Sequence, residues 1–285
     1  MPKVVITGAN GFLGTYLCRH YAQKGWQVNA LVHSMPKEQM KSVLYYPFDL
    51  ADEVKEEYFK GVDYFIHCAY IKVGARHDAL EVNIEGTERL LNMSRRCGVK
   101  KNIFISSVAA RKDALSIYGM QKFQCEKLFN TVNDLILRPG LILGNGGLYG
   151  QLKTHLQKSS KVPLISGGKQ AMQTIHIEDL TIAIDKCLEK DLHGILTIAS
   201  PEKMTNKDFY RILCESLGKK PFFVYLPFTL LFIALSVTET FNINLPVSRE
   251  NLLGLKRMSY IDTSESLTRI GITVKNFVES LKVLK

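Results

Sequence analysis

No Cys-x-x-Cys pair occurs among the six cysteines (Cys18, Cys68, Cys97, Cys125, Cys187 and Cys214), and no His/Cys/Asp cluster has metal-ligand spacing. No metal is therefore expected, and cysteines falling on apolar faces read as free thiols in a reducing, cytoplasmic setting. Basic residues are not clustered: 37 Lys and Arg against 27 Asp and Glu give a net charge of +10, but the charge is scattered. That distribution argues against nucleic acid and for anionic small ligands. The first residues read as a strand and not as a basic, then apolar, leader. Long uncharged runs are scarce too. The strongest, Pro221 to Val237, is 17 residues long and is interrupted by Pro227, at the lower limit for a membrane span. It reads first as a buried or pocket-lining helix, with membrane-surface contact and a span as the alternatives. Internal repeats, low-complexity segments and long linkers are absent. The 285 residues, 46% hydrophobic, fit one large or two modest globular domains.

What is present starts at Val5. The stretch VITGANGFLG sets Gly8, Gly11 and Gly14 directly after an apolar run and before a helix-patterned segment. Glycines suit a tight strand-to-helix turn where a Cβ would block the approach of a bulky anion to backbone N–H groups, so a dinucleotide pyrophosphate is the expected ligand. Strand-like runs (Lys3–Thr7, Val28–Val32, Val43–Phe48, Tyr64–Cys68, Asn102–Ser106, Leu135–Leu137) alternate with helical stretches (Phe12–Lys24, His77–Cys97, Ser116–Thr131, Leu148–Ser159). The alternation predicts an α/β fold, a Rossmann-type doubly wound parallel sheet. The chain is expected to leave this nucleotide-binding domain (1–140) at Leu141, return over about 172–199, and form a smaller substrate-binding domain from 141–171 and 200–285.

The stretch ISSVAARKDALSIYGMQK presents Ser106, Ser107, Tyr118 and Lys122, the last two four residues apart and so on one helix face. An ammonium beside a phenol stabilises the phenolate and makes the tyrosine a usable acid or base. Of the two serines, Ser107 is chosen to face the cleft, because strand alternation lets only one do so.

With these motifs in place, the chain resembles the extended and atypical short-chain dehydrogenase/reductases, the NAD-dependent epimerase/dehydratase family. TGANGFLG is similar to its cofactor turn, FDL at Phe48 to the adenine-flanking segment and HCAY at His67 to the strand beside the ribose. NIEGTERLL at Asn83 is similar to the helix whose Asn supports the active site, LRPG at Leu137 to the turn near the nicotinamide, and IHIEDL at Ile175 to a later signature. The likeness runs over about residues 3–200. It implies a catalytic group of Ser107, Tyr118, Lys122 and Asn83. It also implies cofactor contacts from Gly8, Asn10, Gly11, Phe12, Leu13, Gly14, Asp49, Leu50, Ala69, Tyr118, Lys122 and Pro139.

Cofactor choice rests on a further absence. An NAD site places an acid after the second strand, whereas here His33 and Ser34 follow Val32 and the first acid is Glu38. A modest preference for NADP over NAD is expected. The expected activity is oxidation, reduction or epimerisation at a carbonyl or secondary alcohol, with a nucleotide-activated sugar as the first substrate class and a homodimer as the assembly. Gln173 stands where many sugar-nucleotide enzymes of the family carry Arg, and Ser107 and Tyr118 are only 11 residues apart, which removes a substrate-facing loop. KVPLISGGKQAMQTIHIEDL resembles atypical members related to an accessory subunit of respiratory complex I. That likeness implies an alternative, an NADP(H)-binding sensor or assembly protein without catalysis. The apolar run Pro221–Val237 suggests another, a reductase of a lipid-like or quinone substrate.

Overall fold

The computed structural model describes residues 1–72, 74–240, 248–256 and 258–284. The first half of the chain runs β1 (Lys3–Thr7), α1 (Phe12–Gln23), β2 (Gln27–Val32), β3 (Val43–Pro47), β4 (Tyr64–His67), α2 (Ala79–Arg96), β5 (Lys101–Ile105), α3 (Ile117–Glu126) and β6 (Leu135–Pro139). The second half runs β7 (Leu141–Leu143), α4 (Gly147–Lys158), β8 (Lys161–Ile165), β9 (Thr174–His176), α5 (Ile177–Glu189), β10 (Gly194–Ile198), α6 (Asn206–Ser216), β11 (Phe222–Leu226), α7 (Phe228–Thr240), α8 (Arg249–Lys256), α9 (Ser264–Ile270) and α10 (Phe277–Val283).

Seven strands form one sheet in the order β10-β6-β5-β4-β1-β2-β3. The pairings β1–β2, β1–β4, β2–β3, β4–β5 and β5–β6 are all parallel. Central parallel strands are covered on both faces, which is why Val4, Val5 and Ile6 and then Ile103, Phe104 and Ile105 are apolar without alternation, and all are buried. The helices are one-sided. In α2, Val82, Leu90 and Leu91 are buried while Glu81, Glu85 and Glu88 are exposed. Chain order reverses between β1 and β4, where Thr7 lies opposite His67, so the crevice of this sheet opens at the carboxyl ends of those two strands.

Contacts divide the chain into two compact units, Met1–Lys112 with Met120–Arg138 and Cys187–Leu196, and Asp113–Gly119 with Pro139–Lys186 and Thr197–Lys285. In the first, Phe59 meets Phe65 edge to face and Phe104 stacks on Phe129 in the core. Each such fully buried side chain contributes about 1.5–3 kcal/mol. In the second, Tyr149, Leu164, Phe209 and Phe277 form one core, and Ile165, Leu231, Leu235 and Leu252 a smaller one.

Two segments depart from the sequence reading. The helix expected to reach Thr131 ends at Glu126, and Lys127, Leu128 and Phe129 close tight turns onto Gln124, Cys125 and Glu126 instead. Asp134 draws the chain round by accepting the Asn130 N–H at 2.9 Å. The run Pro221–Val237 is not one helix. Pro227, which has no N–H to donate, separates strand β11 from helix α7. Nor is α7 fully buried: Leu231 and Leu235 are, but Leu230, Ile233 and Val237 lie at 57%, 58% and 50% exposure. All six cysteines are free thiols. Among the described residues no helix is long and apolar enough to cross a membrane.

Candidate active site

The glycine turn follows β1 as its sequence demands. Gly8 has φ +64°, which side chains disfavour, and a Cβ there would lie 2.9 Å from the Ala69 backbone. Gly11 donates to the Gly8 carbonyl at 2.9 Å and starts α1 in extended geometry, with no side chain capping the helix and no acid in its first turn. Helix N–H groups left without protein acceptors make an anion site, and Phe12, Leu13 and Gly14 form that first turn. Asn10 ties the turn to the end of β2, donating to the carbonyl and hydroxyl oxygens of Ser34 at 3.2 and 3.3 Å. The turn fits a dinucleotide pyrophosphate because Gly11, at the helix N-terminus, carries no side chain and no acid stands in the first turn.

Beyond the turn, His33 is 77% exposed, with Nδ1 3.0 Å from Asp49 Oδ2, and Arg76 reaches Asp49 at 3.4 Å while pairing with Asp78. Arg76 was not singled out from the sequence, since nothing local marks a loop arginine as a partner for Asp49. Leu50 is buried, and its carbonyl accepts from Arg89 and lies where a Cβ on Gly86 of α2 would come within 2.4 Å.

Beneath the turn runs a buried polar chain. Thr87 donates to the Asn83 carbonyl at 2.6 Å, so His67 Nε2 donates to Thr87 at 2.9 Å and His67 Nδ1 accepts from Thr7 at 2.7 Å. Thr7 Oγ1 in turn accepts from the backbone N–H groups of Cys68 and Ala69. The imidazole is neutral: burial, helped by the Lys122 charge, pushes its pKa down to about 3. His67 thus joins β1, β4 and α2 and is not a ligand. Asn83 gives both ends of its amide to Ile71, at 2.8 and 2.9 Å, and a further bond to the Ala79 carbonyl. It holds the segment after β4 in place and has no donor left for a substrate.

Helix α3 carries Tyr118, Lys122 and Glu126 at successive four-residue steps, hence on one face. Lys122 is buried, donates to the Ile105 carbonyl at 2.8 Å, and lies 4.6 Å over the Phe104 ring. Burial holds its ammonium below the usual lysine range. Ser106 is buried and donates to Glu126, which Arg138 grips through two nitrogens. Ser106 is therefore committed, whereas Ser107 is half-buried, with Oγ accepting only the Ala109 N–H at 3.1 Å among its described bonds. Tyr118 lies in the first turn of α3, and its backbone N–H is capped by Glu250 of α8 at 3.1 Å. The Glu126–Arg138 clamp and the Glu250 cap were missed from the sequence. For the first, the four-residue spacing continuing from 118 through 122 to 126 was an available signal; for Glu250, 132 residues away, there was none. Pro139 is buried at the end of β6.

His176, Gln173 and Asp179 are structural. His176 Nδ1 accepts the Glu178 N–H. Asp179 accepts from the Lys275 backbone N–H and ammonium at 2.7 and 2.5 Å. Gln173 donates to the carbonyls of Ser200 and Ile261 and accepts the Ile261 N–H at 2.9 Å. Among the described residues no group of three or more His, Cys, Asp or Glu could hold a metal ion.

A doubly wound sheet with an open glycine turn at its switch point, and Tyr and Lys on the helix after β5, defines a dinucleotide-dependent oxidoreductase. Residues 4–199 match the NAD dependent epimerase/dehydratase family, and the chain belongs to it. It is 29% identical over 241 residues to a ceramide reductase of Caulobacter vibrioides, covering 79% of this chain and 73% of that one. It is 23% identical over 298 residues to a UDP-glucose 4-epimerase of Vibrio cholerae, covering 88% and 90%. MoeE5, solved in complex with UDP-glucuronic acid and NAD, superposes with TM-score 0.76 over 98% of this chain and 96% of that one, at 20% identity, a likeness of fold. The chain is accordingly an NAD(P)-dependent oxidoreductase of the short-chain type.

Proposed function

We propose that the protein catalyses hydride exchange between NADP(H) and a carbonyl or secondary alcohol, with Tyr118 as acid and base. The observation that carries this is the buried Lys122 ammonium, fixed by the Ile105 carbonyl one helical turn after Tyr118. A cation held out of water favours a phenolate and offers donors to the nicotinamide ribose. When bound, the nicotinamide supplies or takes up the hydride. Tyr118 gives its proton to the carbonyl oxygen, or takes one from the alcohol, and the Ser107 hydroxyl donates to the same oxygen. Tyr118→Phe should bind cofactor as wild type does and lose at least about 100-fold in turnover. Near-full turnover in that variant would overturn the assignment.

For the substrate, Gln173 supports a ketone on an alkyl-bearing, uncharged molecule. Its amide is occupied by Ser200 and Ile261, where a sugar diphosphate would need a free cation. An apolar cavity of about 180 Å³ in the second unit, lined by Leu152, Leu156, Leu231 and Leu235, suits an alkyl chain. The relative named a ceramide reductase fits the same reading. A nucleotide-activated sugar is the second reading, supported by the UDP-glucose 4-epimerase relative and the charge of +10. Turnover of long-chain 3-oxo compounds against UDP-sugars separates the two.

His33 and Ser34 after β2, with no acid between Val32 and Glu38, support a preference for NADP(H) over NAD(H). One or two charge-assisted bonds to the 2′-phosphate give about 1.5–3 kcal/mol each at most. Calorimetric titration of both cofactors tests this, and tighter binding of NAD than of NADP would overturn it.

A further inference from the structure

A helix that is apolar on every side is normally covered on every side, and α7 is covered on one. Its inner face buries Leu231 and Leu235, while its outer face presents Leu230, Ile233, Ala234 and Val237 as an exposed apolar stripe at helical spacing. The preceding strand β11 also exposes Phe222 and Tyr225, at 62% and 56% and on opposite faces of the strand. From Pro221 to Thr238 there is no charged residue.

Cations lie at this surface, against its aromatic rings. Lys256 of α8 lies 4.0 Å from the Phe228 ring centroid and Arg249 5.9 Å from that of Phe232. Lys207 of α6 lies 5.5 and 5.6 Å from those of Phe223 and Tyr225. Acids on the same helices are turned to other partners: Glu250 caps the Tyr118 N–H, and Asp208 is engaged by Thr205 and Arg211. An apolar stripe rimmed by cations matches a surface with acyl chains beneath anionic headgroups. A second copy of the chain fits worse, because a two-fold contact through this face would bring the same cations together.

We propose that the β11–α7 face docks on an anionic lipid bilayer, with Leu230, Ile233 and Val237 entering the interface and Lys207 and Lys256 meeting the headgroups. The helix lies in the plane of the surface and does not span it. The docking is independent of the substrate reading, because vesicle binding requires no turnover.

Co-sedimentation of the purified full chain with vesicles of phosphatidylcholine alone, and of phosphatidylcholine and phosphatidylserine in equal parts, tests this, with light scattering reporting the oligomeric state. The chain should bind the anionic vesicles, prefer them to the neutral ones, and be released by salt. Leu230→Ser combined with Ile233→Ser should weaken binding about tenfold or more, and Lys256→Gln about fivefold. These exposed positions should leave cofactor affinity and melting temperature unchanged. No binding by the wild-type chain, undiminished binding by the variants, or a dimer that the double variant converts to monomer would each overturn the proposal.

Discussion

Gly11 and Gly14, where an added Cβ would in each case approach the Gly8 carbonyl oxygen, should respond to substitution in opposite ways. An ideal Cβ on Gly14 would lie 2.2 Å from the Gly8 oxygen and 2.8 Å from both the Gly8 carbonyl carbon and Ala9 Cα. All three are backbone atoms, so no rotamer change relieves the clash; the turn and α1 must move apart. Alanine in a free helix position would gain about 1 kcal/mol over glycine, but overpacking costs about 1–3 kcal/mol or more, so Gly14→Ala should be a net loss. At about 2–4 °C per kcal/mol for a chain of this size, melting falls by several degrees. Gly11 differs. Its Cβ would meet only the Gly8 oxygen, at 3.1 Å, and its φ of −78° and ψ of 170° suit a β-branched residue. Gly11→Val should therefore melt close to wild type. Its side chain would stand at the mouth of the helix N-terminus and remove one or two charge-assisted bonds to the pyrophosphate, about 1.5–3 kcal/mol each, or a loss of tenfold or more in affinity. Thermal melts and calorimetric titration of NADPH read the two effects separately. Wild-type cofactor affinity in a folded Gly11→Val chain would refute the reasoning, as would an unchanged melting temperature in Gly14→Ala.

His67 predicts an acid limit to stability. Its folded pKa of about 3 lies below the ordinary 6.5, so the unfolded chain takes up the proton first, and its contribution is complete above pH 6.5 and lost as pH falls from there toward 3. The slope is at most about 1.4 kcal/mol per pH unit. Urea midpoints for wild type and His67→Gln should converge as pH falls, and parallel curves would exclude the residue as a cause. Glu126→Gln leaves the part-buried Arg138 without its carboxylate and should cost about 2–3 kcal/mol, read as a lower denaturant midpoint. It should also loosen Ser106 and lower turnover without changing which cofactor binds. A variant as stable as wild type would show that the clamp contributes nothing.

The sheet was readable because its signals are local. Apolar runs without alternation mark strands buried on both faces, and Gly8, Gly11 and Gly14 mark a turn that at Gly8 and Gly14 admits little else. That Ser107 follows β5 and that Tyr118 and Lys122 share one face of α3 was readable, because strand and helix periodicities place side chains on faces before any packing is known. Helix boundaries were less so: after Glu126 the backbone N–H groups turn onto carbonyls three residues back, and Asp134, further along the chain, holds the Asn130 N–H.

By itself, the sequence determined the α/β alternation, the parallel sheet, the open glycine turn and the serine, tyrosine and lysine that follow β5, since each depends on residues within a few positions of one another. Only the tertiary structure decided that Glu126 and Arg138 hold Ser106, what Asn83 and Gln173 bind, that Glu250 caps Tyr118, and that α7 keeps one apolar face outside the core. Those outcomes depend on partners from about a dozen to more than a hundred residues away. Side-chain hydrogen bonds and burial are set by such distant partners, and no local periodicity encodes them.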